Sequence, residues 1–111
     1  MPHQSADIAV NLIPLRPGAS IAEFERIALE VDRPTCLSQD VVLGFDIITL
    51  TRRDPAGPAI DVVEIIETRS WDEWVRTRDA MPEIKRNGEV LQRYIDPTQI
   101  RRFLGKRVVG S

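Results

Sequence analysis

The polar side chains best placed to do chemistry interrupt apolar segments. Asn11 lies in "DIAVNLI" and Asp46 lies in "GFDII". Burial among apolar neighbours raises the pKa of a carboxyl group and suits it to proton transfer near neutral pH. Asp46 is therefore a candidate general acid or base, and Asn11 is a candidate donor that would polarise a carbonyl group. In "AIDVVEIIET", either Glu64 or the pair Asp61 and Glu67 would join them, because alternation alone does not decide which set faces a cavity.

Arg78 is the charged residue that most strongly indicates a buried ion pair or a cavity, because it lies near the middle of an apolar helical face that also carries Trp71 and Trp74. An unpaired buried charge is costly, so the guanidinium must meet a carboxylate or reach a cavity. In a structural interpretation, Asp46 or Glu64 neutralises Arg78 and the polar side chains are simply hydrogen-bonded. In a functional interpretation, the planar fork of Arg78 captures a substrate carboxylate.

The aromatic residues also allow two interpretations. Trp71 and Trp74 pack in the core, or they stack on an aromatic ligand. Tyr94, the only tyrosine, is either packed at the surface or a phenolic acid at the mouth of a cavity. His3 lies in a terminus that we expect to be frayed, which argues against a catalytic role.

Composition excludes several classes of function. One histidine and one cysteine cannot supply a zinc site of nitrogen and sulfur ligands, and Cys36 cannot form an internal disulfide. The chain carries no nucleotide-binding loop and no haem motif, so we expect chemistry without a cofactor. The formal net charge of −2, with mixed signs along the chain, predicts no nucleic-acid partner. The basic segment 101–109 is interpreted as a solvated or partner-facing tail rather than a phosphate-binding patch.

Length and hydropathy bound the architecture. No apolar run reaches the roughly 18–20 residues that a membrane span needs, and the first residues lack the pattern of a signal peptide. We therefore expect a cytoplasmic protein without a membrane partner. A chain of 111 residues, 42% of them hydrophobic, fits one domain over residues 1–111, with 1–6 as a flexible N-terminus.

Strands that could position these side chains are outlined by β-branched and apolar residues. The pattern predicts strands over 8–15, 41–51 and 59–68. The second and third are joined by "RRDPAGP", which has the Pro and Gly of a hairpin loop. A short last strand is predicted over 105–109.

Helices are signalled by two capping boxes, Ser20 with Glu23 and Ser70 with Glu73. The first helix is predicted to stop at Pro34, because proline lacks the backbone donor that a helix needs. The second helix is predicted over 70–81. A broken helix over 83–95 and a helical turn over 96–104 follow with weaker signals.

The resulting order, β-α-β-β-α-β, is the split β-α-β plan of ferredoxin-like domains, an α+β fold with an antiparallel sheet and two helices on one face. Strands 8–15 and 41–51 are largely apolar on both faces, so the second face must also be covered. The simplest cover is another copy of the sheet, which predicts a homodimer forming a dimeric α/β barrel. The polar side chains would line its interior. Alternatives are a monomer covered by its own C-terminal segment and a larger oligomer.

Three segments together carry a family resemblance: "RPGASIAEFERIA", "DVVEIIETRSWDEWVRTRD" and "DPTQIRRFLGKRV". They resemble the RedY-like (HapK-like) proteins, small bacterial proteins encoded with enzymes of prodiginine and bisindole biosynthesis. That family is similar to the dimeric α/β barrel superfamily, which includes cofactor-free monooxygenases, polyketide cyclases and tautomerases or dehydratases. The resemblance implies a role in secondary metabolism and supplies no catalytic residue to carry over.

Three hypotheses of function follow. The first is a cofactor-independent enzyme that acts on a small aromatic intermediate, of bisindole or pyrrole type, by proton transfer or cyclisation. In it, Asp46 is the acid or base, Arg78 holds a carboxylate and Asn11 polarises a carbonyl group. The second is a cofactor-free monooxygenase of an aromatic substrate. The third is a non-catalytic protein that shields a reactive biosynthetic intermediate.

Overall fold

Four antiparallel strands form one sheet in the computed structural model, which describes residues 6–108. They are β1 (Asp7–Ile13), β2 (Val42–Thr49), β3 (Val62–Thr68) and β4 (Arg101–Gly105). The strand order is β2-β3-β1-β4, so β1 and β3 are central and the last strand pairs with the first. This is the predicted α+β, ferredoxin-like arrangement.

Helical segments cover one face of this sheet. They are α1 (Ile21–Ile27), a π-helical segment (Ala28–Asp32), α2 (Arg33–Leu37), α3 (Trp71–Asp79), α4 (Pro82–Leu91) and a 3-10 turn (Pro97–Gln99). Both capping boxes are confirmed in part, because the hydroxyl groups of Ser20 and Ser70 accept hydrogen bonds from the backbone N–H groups of Glu23 and Glu73. Across residues 6–108, no helix has the length and apolarity needed to cross a bilayer.

The prediction that Pro34 stops the first helix was wrong. The helical path instead widens before the proline, where the N–H of Arg33 donates to the carbonyl of Ala28, five residues back. Pro34 has no N–H, and its ring clashes with a regular α-helical carbonyl, so a π-helical turn lets the chain pass it and continue as α2. Asp32, the last residue of the π segment, is turned partly inward as a result.

Strand β2 contains an irregularity that the alternation pattern missed. The pairing register with β3 shifts between Val42 and Gly44. Val42 and Phe45 are therefore both buried under the helices, while Leu43 is 55% exposed. Strict alternation would place Leu43 on the same face as Phe45, but a β-bulge changes the parity of every residue before it.

The C-terminal strand also lies earlier than predicted. Segment 105–109 was expected to be the strand and 96–104 a turn, but β4 occupies 101–105. The basic residues that follow β4 do not form a free tail. Lys106 Nζ lies 2.7 Å from Asp7 Oδ1, and Arg107 Nη1 lies 3.1 Å from Glu67 Oε2. The basic side chains of this edge strand interrupt the alternation of apolar and polar residues by which a strand is predicted. Residues 1–5, including His3, and the predicted strand end at Val109 lie outside the described residues.

The core under the helices consists of two apolar clusters. One contains Ile13, Phe24, Ile27, Ala28, Val62, Leu91, Tyr94 and Ile95. The other contains Ala9, Cys36, Val41, Val42, Phe45, Ile66 and Trp74. On the two central strands, Asn11 lies between Ala9 and Ile13, and Glu64 lies between Val62 and Ile66. Polar side chains thus separate the two halves of the core.

The face of the sheet without helices is apolar as well. Val10 is the cross-strand neighbour of Ile65 on β3 and of Phe103 on β4. Phe103 is 57% exposed and Ile48 is 43% exposed in the single chain. An apolar sheet face of this kind is unusual on a monomer's surface and is typical of an interface.

We expect Ser70→Ala to destabilise the fold by about 1 kcal/mol, because it removes the acceptor for the N–H of Glu73 at the start of α3. Urea unfolding followed by circular dichroism would measure the change. Ser70→Gly should cost only a few tenths of that amount, because glycine leaves the N–H groups open to water. Ser38→Ala, which removes an exposed hydroxyl group that donates to the Thr35 carbonyl, is the control for loss of a surface hydrogen bond that does not cap a helix N-terminus. A loss for Ser70→Ala no larger than that of the control would contradict the capping role.

Candidate functional site

A row of three polar side chains crosses the helix-covered face of the sheet. Asn11 on β1 is the register neighbour of Arg102 on β4 and of Glu64 on β3. Arg102 Nε donates to Asn11 Oδ1 at 2.8 Å, and Asn11 Nδ2 donates to Glu64 Oε1 at 3.4 Å. We call Arg102, Asn11 and Glu64 the polar row. It connects the edge of the sheet with the interior.

Only the two inner members of the row are buried. Arg102 is exposed at the sheet edge, whereas Asn11 is 3% exposed and Glu64 is 9% exposed. A cation, an amide and a carboxyl group therefore follow one another from the sheet edge toward its central strands. The amide bridges the other two by accepting from the guanidinium group and donating to the carboxyl group.

Glu64 has a pKa near neutral pH. Burial raises its pKa to about 7, and the negative charge of Asp32 adds to the rise. The hydrogen bond from Asn11 and the positive charge of Arg102 act in the opposite direction, but they do not cancel the effect of burial. A carboxyl group in this range can both give and take a proton without a large free-energy cost.

Asp32 supplies a second carboxyl group close to the row, and it is partly buried. Burial raises the pKa of Asp32 to about 6, and the nearby amide of Asn87 lowers it in part. Cys36 Sγ lies 4.0 Å from Asp32 Oδ1. Burial and the charges of Asp32 and Glu64 raise the pKa of this thiol, so Cys36 is not an activated nucleophile.

Trp71 lies at the outer end of the row. The centroid of its ring is 5.2 Å from Cζ of Arg102 and 5.9 Å from Cζ of Arg78, so both guanidinium groups are within range of cation–π attraction. Its backbone N–H donates to Asp7 Oδ2 at 2.9 Å, which ties the start of α3 to β1. An aromatic surface flanked by two cations suits a planar ligand that carries negative charge.

Two surface hollows adjoin these side chains. The Trp71 hollow, of about 300 Å³, is lined by Asp7, Trp71, Asp72, Leu104, Gly105 and Lys106. The Arg78 hollow, of about 350 Å³, is lined by Arg78, Asp79, Ile84 and Lys85. The second opens between α3 and α4, because its lining comes equally from both helices. Within residues 6–108, no three His, Cys, Asp or Glu side chains converge as metal ligands would.

The structure brings some predicted site residues together and separates others. Asn11 and Glu64 meet, but under the helices rather than in the interior of a barrel. Asp46 is exposed on the opposite face, where its register neighbour is Ile65. The prediction that Asn11 and Asp46 share a face was therefore wrong. Since β1 is apolar on both faces, its sequence could not indicate which face the helices cover.

Among the remaining predicted residues, Arg78 and Trp71 lie on the helix-covered side and contact each other. Arg78 is partly exposed and pairs with Asp79 at 3.4 Å instead of with Asp46 or Glu64. Trp74 is 2% exposed within an apolar cluster. Tyr94 is buried in the other cluster, with its hydroxyl group 3.3 Å from Glu23 Oε2.

Three site residues were missed by the sequence analysis. Arg102 was assigned to a turn, and Asp32 was assigned to a helix end. Asn87 lies on α4 between Ile84 and Leu91 at spacings of three and four residues, so a helical wheel could have identified it as a polar residue on an apolar face.

We expect Glu64→Gln to stabilise the protein increasingly as the pH rises. The pKa of Glu64 is raised from an ordinary 4.5 to about 7, so the folded state holds this proton more tightly than the unfolded chain. The stability contributed by the protonated group is fully present below about pH 4.5 and is lost as the pH rises through about 7. Glutamine does not titrate, so its advantage should be small at pH 4.5 and on the order of 3 kcal/mol at pH 8.

Urea unfolding at a series of pH values would test this dependence. Glu67→Gln is the matched control, because it neutralises a carboxylate on the same strand but on the other face. Equal pH profiles for the two variants would show that Glu64 is not perturbed by burial.

Comparisons with known proteins place this geometry in context. A search of curated proteins gives no significant match. Among solved structures, the protein At3g17210 of Arabidopsis thaliana is 13% identical with a TM-score of 0.73, over 95% of this chain and 98% of that chain. SnoaB of Streptomyces nogalater, described as a cofactor-independent oxygenase, is 15% identical with a TM-score of 0.70, over 96% and 97% of the two chains.

A third similar structure is a protein of Thermobifida fusca, described as a dimeric ferredoxin-like protein of unknown function. It is 7% identical with a TM-score of 0.69, over 96% of each chain. At these identities the likeness establishes the fold alone. The family model described as REDY-like protein HapK matches residues 7–108, a range that contains the whole polar row and every strand and helix of the described part of the chain. The chain therefore belongs to the family of REDY-like HapK proteins.

Proposed function

We propose that the polar row is the acid–base centre of a cofactor-independent enzyme of bacterial secondary metabolism. Its substrate is a small aromatic intermediate, of bisindole or pyrrole type, on which it acts by proton transfer or cyclisation. The observation that carries the proposal is Glu64, a buried carboxyl group with a pKa of about 7 that is hydrogen-bonded to Asn11 beneath the helices. Membership of the HapK family supports the metabolic context.

Each side chain around the row has a role in this proposal. Glu64 gives or takes the proton, and Asn11 holds the carboxyl group in place. Arg102 provides a fixed positive charge that stabilises negative charge as it develops on the substrate. Trp71 supplies a surface for stacking, and Arg78 holds an acidic group of the ligand at the outer end. We place the route to Glu64 at the Arg78 hollow, between α3 and α4.

A cofactor-free monooxygenase is the second candidate. It is favoured by the fold shared with SnoaB, which is described as a cofactor-independent oxygenase. The same base would serve both reactions, because removal of a proton from an electron-rich aromatic substrate makes it reactive toward molecular oxygen. Oxygen consumption and incorporation of labelled oxygen into the product would identify this reaction. Binding in a one-to-one ratio without turnover would instead identify a protein that shields an intermediate.

We expect Glu64→Gln to lower the rate of proton exchange in an aromatic substrate by at least about 100-fold. Indole-3-pyruvate is a suitable probe, because it combines an aromatic ring, an acidic group and exchangeable protons beside a carbonyl group. Deuterium incorporation from heavy water, followed by NMR, would measure the rate above the uncatalysed reaction. Asp46→Asn tests the other carboxyl group considered from the sequence and should leave the rate unchanged, since Asp46 lies on the other face.

Two outcomes would contradict this assignment. Exchange that survives in Glu64→Gln but is abolished in Asp46→Asn would place the chemistry on the helix-free face. Exchange that is not accelerated by the wild-type protein would argue against proton transfer as its activity.

We also propose that the protein is a cytoplasmic homodimer whose helix-free sheet faces pack together. The support is the apolar character of that face, to which Val10, Ile65 and Phe103 contribute side by side. Similar structures are described as dimeric, which favours this assembly. Packing two such faces would bury apolar area that a single chain leaves in water.

Light scattering after size-exclusion chromatography should give a mass of about twice 12.6 kDa over a range of concentrations. Ile65→Glu should shift the mass toward that of a single chain, because it places a second carboxylate beside Asp46 on the central part of this face. Leu29→Glu is the matched control, since Leu29 is 53% exposed on the helical side. Dissociation by the control alone would place the interface on the helices.

A further inference from the structure

Asn87 is a buried polar side chain that the proposed chemistry does not use. It is 9% exposed, and its Nδ2 makes no hydrogen bond of good distance and angle within residues 6–108, although the amide lies close enough to Asp32 to lower the pKa of that carboxyl group. A buried donor without an acceptor costs about 1–3 kcal/mol. Native proteins rarely carry such a cost, and a donor of this kind commonly indicates a place where a bound molecule supplies the acceptor.

The surroundings of Asn87 connect it with the proposed site. Ile84, one helical turn earlier on α4, lines the Arg78 hollow and packs against the apolar cluster that contains Trp74. Asn87 therefore lies one turn further along the same face of α4. The Asn87 amide is near enough to Asp32 to influence the pKa of that carboxyl group, and the charge of Asp32 in turn reaches Glu64.

The charges nearby indicate what kind of ligand atom can accept a hydrogen bond from Nδ2. Asp32 and Glu64 are both acidic, so a further carboxylate from a ligand would be repelled beside them. The cations Arg78 and Arg102 lie toward Trp71 instead. A neutral oxygen acceptor, as in a carbonyl or phenol group, can take a hydrogen bond from the amide without that repulsion.

We propose that Asn87 Nδ2 binds the carbonyl or phenolic oxygen of an aromatic ligand that enters between α3 and α4. The ligand is oriented with its oxygen toward Asn87 and any acidic group toward Arg78 and Arg102. This inference rests on the proposal that the polar row is the site of chemistry. It adds that the substrate class is an oxygen-bearing aromatic compound, and it assigns a binding residue that directs the oxygen toward the two carboxyl groups.

Two probes that differ in a single group test the assignment: indole-3-carbaldehyde and 3-methylindole. Isothermal titration calorimetry should show that the wild-type protein binds the aldehyde about tenfold more tightly, the effect of one added hydrogen bond. Asn87→Leu, which keeps the size of the side chain but removes the donor, should reduce this preference to about one. The thermal midpoint of the unliganded variant should equal or exceed that of the wild type, because a donor without an acceptor has been removed.

Glu89→Gln, an exposed change on the same helix, is the control and should retain the preference. A preference that persists in Asn87→Leu would overturn the proposal, as would equal binding, or no binding, of the two probes by the wild type. If Asn87→Leu and Asn87→Ala both fail to fold, the assignment is tested in the wild type by NMR. The Asn87 side-chain amide protons should then move downfield with the aldehyde and not with 3-methylindole, and an unchanged resonance would overturn the proposal.

Failure of this inference is distinguishable from failure of the proposed function. Glu64→Gln should keep the preference for the aldehyde while losing proton exchange. Persistent preference together with unaffected exchange in Glu64→Gln would remove the catalytic role of Glu64 and leave the binding role of Asn87 intact. Loss of exchange in Glu64→Gln, together with no preference of the wild type for the aldehyde, would support the catalytic role of Glu64 and overturn the binding role of Asn87.

Discussion

The chain of hydrogen bonds from Arg102 through Asn11 to Glu64 fixes how the three strands that carry it are paired. A buried amide and a buried carboxyl group are each costly without partners, so β1, β3 and β4 must pair in the one register that brings them together. A slip of one residue would turn Asn11 to the apolar face and leave Glu64 without its donor. The polar row therefore specifies the pairing of the central strands, while the apolar clusters on its two sides provide the stabilisation.

The row remains energetically unfavourable in one respect. Burial keeps the pKa of Glu64 high, and the charge of Asp32 adds to the effect. A glutamine or an apolar side chain would avoid this cost, so the carboxyl group is better explained by a function than by stability. The π-helical segment supports the same view, because it brings Asp32 partly inward at the point where Pro34 disturbs the regular helix. Irregular turns of this kind are frequent at functional sites.

The fold was largely predictable because its signals are local. The capping residues Ser20 and Ser70 and the β-branched strands each indicate an element, and their order indicates the fold class. The site was less predictable, because its members depend on which face of the sheet the helices cover. Asn11 and Glu64 were both identified as polar interruptions, yet alternation alone grouped Asn11 with Asp46 on the wrong side. Arg102 was hidden in a basic segment whose edge-strand character depends on pairing with β1, a contact more than ninety residues distant in sequence.

The two proposed functions, proton transfer and association between copies, lie on opposite faces of the sheet. If copies associate through the helix-free face, each chain keeps a complete polar row on the opposite side, and no residue from a partner is required for it. The two faces are still linked through β4, where Arg102 and Phe103 are adjacent and point in opposite directions. Phe103 packed against a partner would hold this edge strand in place, and an edge strand held in place would keep the guanidinium group on Asn11. Association would then influence the site through the position of one strand rather than through shared catalytic groups, so loss of the dimer should weaken activity without changing which residues perform it.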